Sequence, residues 1–151
     1  MRFARLKLAA LAVVAAGLVA GGCGDSATMA GEPNLGAGSG TVTYALKTIN
    51  DAPLPVDMRN DASGRVSITK GEIVLSGGTD FRQNFTISET PAGATASIRE
   101  SVTEGTFTVR GTAIIFHAST GGEWEGTMSG NEIWYNVPGN TGLVHFSFQR
   151  G

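Results

Sequence analysis

Cysteine is nearly absent: one, Cys23, stands among 151 residues. That excludes a disulfide framework and the multi-cysteine ligand sets of structural zinc sites. Histidine is almost as scarce, with only His117 and His145, far apart and without the short ligand spacings of metal sites. No Gly-x-Ser-x-Gly elbow occurs, and no Ser, His and Asp are spaced so as to propose a nucleophilic triad. Charged residues make up only 16% of the chain and are scattered singly. No basic patch is therefore available to neutralise phosphates, which argues against a nucleic-acid partner. No segment has convincing helical periodicity, and the long apolar run at the N-terminus is too short for a comfortable membrane span. Glycine is what the chain has in quantity, 22 residues, many of them between short alternating runs.

The N-terminus reads MRFARLKLAALAVVAAGLVAGGC. Arg2, Arg5 and Lys7 precede a run without further charge until Asp25, the basic and apolar regions of an export signal. Ala20, Gly21 and Gly22 offer a signal peptidase small side chains just before Cys23. The arrangement resembles the bacterial lipoprotein signal, which usually carries Leu where Ala20 stands. The resemblance implies cleavage after residue 22 and diacylation of Cys23, and two acyl chains give the stable membrane attachment that one does not. Gly24 rather than Asp follows the cysteine, which favours the outer over the inner membrane. The competing reading is an ordinary secretory signal with an unpaired Cys23, unusual because exported cysteines normally pair.

Three segments follow from this reading: a signal over 1–22, a lipidated cysteine with a flexible tether over 23–40, and a folded body over 41–151. The tether, GDSATMAGEPNLGAGSG, has almost nothing to bury. Loss of Arg2, Arg5 and Lys7 with the signal leaves eight basic against thirteen acidic residues, a net charge near −5.

From Thr41 onward the period is two. TVTYALK sets Val42, Tyr44 and Leu46 on one face. RVSIT and EIVLS, separated at Lys70-Gly71, carry Val66 and Ile68, then Ile73 and Leu75. FRQNFTIS sets Phe81, Gln83, Phe85 and Ile87 together. ASIRESVTE places Ile98, Glu100 and Val102 on a common face, and TFTV and TAIIFH flank a tight turn at Arg110-Gly111. EWEGTMS and EIWYNV flank Gly130-Asn131, a two-residue turn that needs positive φ. LVHFSFQR alternates Val144, Phe146 and Phe148 with His145 and Ser147. GTAIIF at Gly111 and GNEIWY at Gly130 echo one another. Short strands with one apolar face and glycine turns predict an all-β, antiparallel up-and-down barrel of about 8–10 strands, with a β-sandwich as the alternative. Apolar faces on both the first and last strands let a meander close and remove its edges.

At TINDAPLP the sequence resembles the small bacterial lipocalin-like domains of secreted proteins and lipoproteins. Those carry a Val/Ile-Asn-Gly/Asp-x-Pro-Leu-Pro turn and finish in Phe-x-Phe-x-Arg, matched here by Phe146, Phe148 and Arg150. The family opens on Gly-x-aromatic, where this chain has Val42 before Tyr44. The resemblance implies that Arg150 packs over Tyr44 and closes one end of the barrel, a cation–π contact worth about 0.5–2 kcal/mol.

Candidate chemistry is sparse. Glu123 and Glu125 flank Trp124, so both carboxylates share a face; a pair of acids suits sugar hydrolysis, but neighbouring acids on a sheet exterior are ordinarily just solvated. Gln83 and Glu100 are polar residues on faces otherwise apolar, and a buried carboxylate needs a partner or an open cavity. Trp134 alternates with Ile133 and Tyr135 and is expected to face outward. The leading expectation is a non-enzymatic, membrane-anchored envelope barrel holding a small apolar or amphipathic ligand, with no cofactor or metal. Its cup would be lined by Tyr44, Phe81, Gln83, Phe85, Glu100, Phe107, Trp124 and Met128. The alternative is a structural or protein-interaction lipoprotein with a solid barrel; a cell-wall or sugar hydrolase is a third.

Overall fold

The computed structural model describes residues 40–140 and 142–151. The expected export signal over 1–22, Cys23 and residues 24–39 of the expected tether lie outside the described residues. Ten strands follow in order: β1 (Val42–Ile49), β2 (Ala52–Pro53), β3 (Val56–Asp61), β4 (Gly64–Ser76), β5 (Asp80–Pro91), β6 (Ser97–Arg110), β7 (Ala113–Ala118), β8 (Glu123–Ser129), β9 (Glu132–Gly139) and β10 (Gly142–Arg150). Neighbours follow chain order from β4 to β10, β10 pairs with β1, and β1 pairs back onto β4. Eight strands, β1 and β4–β10, thus form a closed antiparallel up-and-down barrel rather than the two packed sheets of a sandwich. Strands β2 and β3 lie outside the ring, on the end of β1 and on the first half of β4. This architecture is consistent with a lipocalin-like barrel.

Alternation puts one face of each strand inside, and two bulges adjust the phase. In β4 the register steps over Thr69, between Ile68↔Ile87 and Lys70↔Thr86, and the Thr69 hydroxyl donates to the Thr86 carbonyl at 3.1 Å. A bulge shifts side-chain parity by one. Ile68 therefore shares the interior with Ile73 and Leu75, although its number differs from theirs in parity, while Val66 on the same face is only half-buried and lies outside the core. The expected break at Lys70-Gly71 is instead a bend within one 13-residue strand. A second register step between Leu46 and Thr48 of β1 brings Ile49 inside along with Tyr44 and Leu46.

The turns follow the local chemistry. Asn50 and Asp51 both take positive φ, 50° and 63°, the pattern of a two-residue I′ hairpin joining β1 to β2. Asn50 also ends the β1–β10 ladder: its N–H donates to the His145 carbonyl and its Oδ1 accepts from the His145 N–H, each at 2.8 Å. The β6–β7 hairpin turns at Gly111-Thr112, one residue later than expected, because Arg110 still pairs with Ala113. Gly111 and Gly130 each open their turn at positive φ, 60° and 57°. The echo between these hairpins is structural too. Ile114 and Ile133 are both fully buried, and Phe116 and Tyr135 stand with ring centroids 6.2 Å apart.

The largest correction concerns β6. Ile98, Glu100 and Val102 face outward, Ile98 with 75% of its surface exposed. The inner row is Ser101, Thr103, Gly105 and Phe107, opposite Phe85, Gln83 and Phe81 of β5. The segments ASIRESVTE and TFTV are one 14-residue strand without a bulge, so the phase set by buried Phe107 runs unbroken to its start.

Candidate functional site

The barrel interior is occupied by its own aromatic side chains. Phe116 stacks on Trp124 at 5.2 Å between centroids and meets Phe81 edge-on at 5.1 Å. Tyr135 stacks against Phe146 at 5.4 Å and Phe148 at 5.6 Å, and Phe85 leans on Phe146 at 5.6 Å. These rings form a continuous network from β5 round to β10. Of the eight candidate cup residues, Tyr44, Phe81, Gln83, Phe107 and Met128 are at most 6% exposed. Phe85 and Trp124 are half-buried, and Glu100 is on the outer face, so it does not line a cup.

Gln83 is buried without needing a ligand. Its Nε2 donates to the Tyr135 hydroxyl at 2.7 Å, across the barrel from β5 to β9. Burial pushes the Tyr135 phenol far above its ordinary pKa against the opposing effect of Gln83, so it stays neutral at physiological pH. Tyr135→Phe is expected to cost about 1–3 kcal/mol, because it leaves the Gln83 amide buried without an acceptor. Adding Gln83→Leu to Tyr135→Phe should restore most of that loss, read as the midpoint of urea unfolding. Equal midpoints for the single and double variants would contradict the cross-barrel bond.

Tyr44 and Arg150 stand directly opposite one another in the β1–β10 ladder, at the end of the barrel where the body begins and finishes. Burial raises the Tyr44 phenol above its ordinary pKa, and the positive charge of Arg150 opposes that rise. Tyr44 Oη and Trp124 Nε1 are buried without a hydrogen-bond partner among the described residues.

The remaining candidates lie outside. His117 and Glu123 form an exposed cross-strand pair, Nδ1 to Oε2 3.0 Å, on the outer faces of β7 and β8. Glu125 is exposed on the same face as Glu123, with Trp124 turned inward between them. His145 is bonded to Asn136 at 3.0 Å and sits beside Trp134, which is 38% exposed on the outer face of β9. Among the described residues no three His, Cys, Asp or Glu side chains gather as a metal ion would require.

A concave feature opens instead on the outside, at the seam. Strands β1 and β4 pair only from Val42↔Leu75 to Ala45↔Glu72. Beyond that point β1 continues with β2 and β4 with β3, and Leu54 lies in the connection between those two short strands. The strands part over a groove of about 460 Å³. Its apolar side is formed by Ala45, Leu46, Leu54 and Gly71, and its polar side by Lys70, Glu72, Asn84, Thr86 and Glu100. A Cβ on Gly71 would stand 2.7 Å from Phe85 Cδ1 and 2.9 Å from Leu46 Cδ2, so only glycine fits there without displacing both side chains. Among the described residues Lys70, Glu72 and Glu100 form no ion pair, and Asn84 Oδ1 is buried without a partner. Alternation along the strands does not reveal this groove, because it depends on where two strands distant in sequence separate. Comparison with known protein families, curated proteins and solved structures gives no match.

Proposed function

We propose that the chain is a non-enzymatic lipoprotein of the bacterial cell envelope, held to a membrane by diacylated Cys23, whose barrel acts through its outer surface rather than as a cup. The observation that carries this reading is the filled interior. Tyr44, Phe116, Phe148, Ile73, Ile114 and Met128 are among the side chains less than 2% exposed, and the inward-facing Gln83 amide donates to Tyr135. A small barrel filled by side chains is a rigid scaffold, and its recognition surfaces are then external. The non-enzymatic part is supported by the two half-buried histidines lying apart on the outer face, His117 paired with Glu123 and His145 with Asn136, and by the exposure of Glu123 and Glu125. The membrane part rests on the basic, apolar and small-residue approach to Cys23.

Native mass spectrometry of the chain released from its own membranes tests the filled barrel. The expected spectrum shows no lipid or other non-peptide apolar molecule on the acylated chain; a reproducible non-peptide apolar adduct would overturn the reading. Cys23→Ser is expected to move the protein from the membrane to the soluble fraction, followed by immunoblotting after ultracentrifugation. Unchanged sedimentation with membranes would remove the anchor.

A further inference from the structure

We infer that the seam groove binds a short apolar peptide with free termini; the inference deepens the reading that the barrel works from its outside. The groove presents acceptors in excess: the carboxylates of Glu72 and Glu100, set against the single cation of Lys70. A simple anion would meet two carboxylates, and a wholly apolar molecule would leave these groups unpaired at a desolvation cost. An ammonium, backbone N–H groups and one carboxylate together match the set, with Leu46 and Leu54 receiving an apolar side chain.

The register gives the length. Lys70, Thr86 and Glu100 stand opposite one another on β4, β5 and β6. Two strand spacings put the Lys70 and Glu100 backbones about 10 Å apart. An extended peptide of about three residues spans about that distance. Its ammonium would meet Glu100, its carboxylate Lys70, and a backbone N–H Glu72. A groove of about 460 Å³ is within the size range of small-ligand sites.

Isothermal titration of the full chain in detergent micelles with Leu-Ala-Leu tests this, beside the N-acetylated peptide, the C-terminal amide and free leucine. Saturable binding of the free tripeptide is expected. Acetylation should weaken it about threefold to tenfold, as should amidation, the loss of one charge-assisted contact in a half-open site. Glu100→Gln should weaken the free peptide to a similar degree and abolish the effect of acetylation. Lys70→Ala should do the same for amidation. This cross-dependence distinguishes contact with a terminus from general damage to the fold. No saturable heat, equal binding by free leucine, or a response to acetylation that survives Glu100→Gln would each overturn the inference. Absence of binding removes the groove alone. Binding that ignores Glu100→Gln and instead shifts Trp124 fluorescence would also overturn the filled barrel.

Discussion

Replacing Phe116 by Ala is expected to cost about 3–5 kcal/mol and to lower the melting temperature by roughly 10–30 °C. Phe116 is fully buried and shares ring contacts with Phe81, Trp124 and Tyr135, so its removal opens a cavity where three other aromatic side chains meet. Rigid strands on either side, pairing Phe116 with Phe107 and with Trp124, limit how far the wall can collapse into that cavity. Phe116→Leu should cost much less, since it refills most of the volume. Thermal unfolding followed by circular dichroism measures both, and Trp124 emission should shift to the red in the Ala variant as its stacking partner is lost. A loss below about 1 kcal/mol for Phe116→Ala would mean that the interior is loosely occupied and able to admit a guest.

Gly105→Ala is expected to be comparably damaging, although it adds a single methyl group. The new Cβ would press into the His117 carbonyl oxygen, 2.9 Å from the carbonyl carbon and 3.0 Å from Ala118 Cα. All three are backbone atoms, so no rotamer change can relieve the contact, and β6 and β7 must separate at their last pair, Gly105↔Ala118. Overpacking a core with flexible neighbours costs about 1–3 kcal/mol; against fixed backbone the loss should reach the top of that range or exceed it. Gly78→Ala is the contrasting case, because Gly78 meets nothing within 4 Å and only its positive φ of 75° opposes a side chain, a cost of about 1–2 kcal/mol. Denaturant unfolding of the two variants side by side reads the difference. A Gly105→Ala protein as stable as Gly78→Ala would contradict the close approach of β6 and β7.

Gly105 also shows why β6 was misjudged from the sequence. A glycine between two polar, weakly alternating runs resembles a break, and each side then takes its phase from its nearest apolar residues, Ile98 and Val102. In the folded chain the glycine is there because the strands touch, not because one ends. The phase therefore passes through it from Phe107 and turns Ile98, Glu100 and Val102 outward. In β4 an expected break of the same kind has no consequence for the faces. Lys70-Gly71 suggests a break, and the bulge at Thr69 shifts the parity just as two separate strands would. Gln83 was legible as a polar residue on an apolar face. Its partner was not, since Tyr135 lies 52 positions away and only the closed ring brings the two together.

Alternation of period two, glycine at the hairpin turns and apolar first and last strands were sufficient to specify an antiparallel barrel and most of its inner aromatic residues. These are local properties: a side chain's face depends on its neighbours along one strand, and a tight turn on the φ angles its own residues accept. Tertiary structure alone decided how the interior is occupied, because that depends on how rings from five strands share one volume. It also decided that β1 leaves β4 after Ala45↔Glu72, since pairing between distant strands is set by the closure of the whole sheet. The phase that Phe107 sets along β6 turns Glu100, expected inside a cup, outward, and the parting of β1 from β4 leaves it in the groove beside Lys70, Glu72 and Asn84.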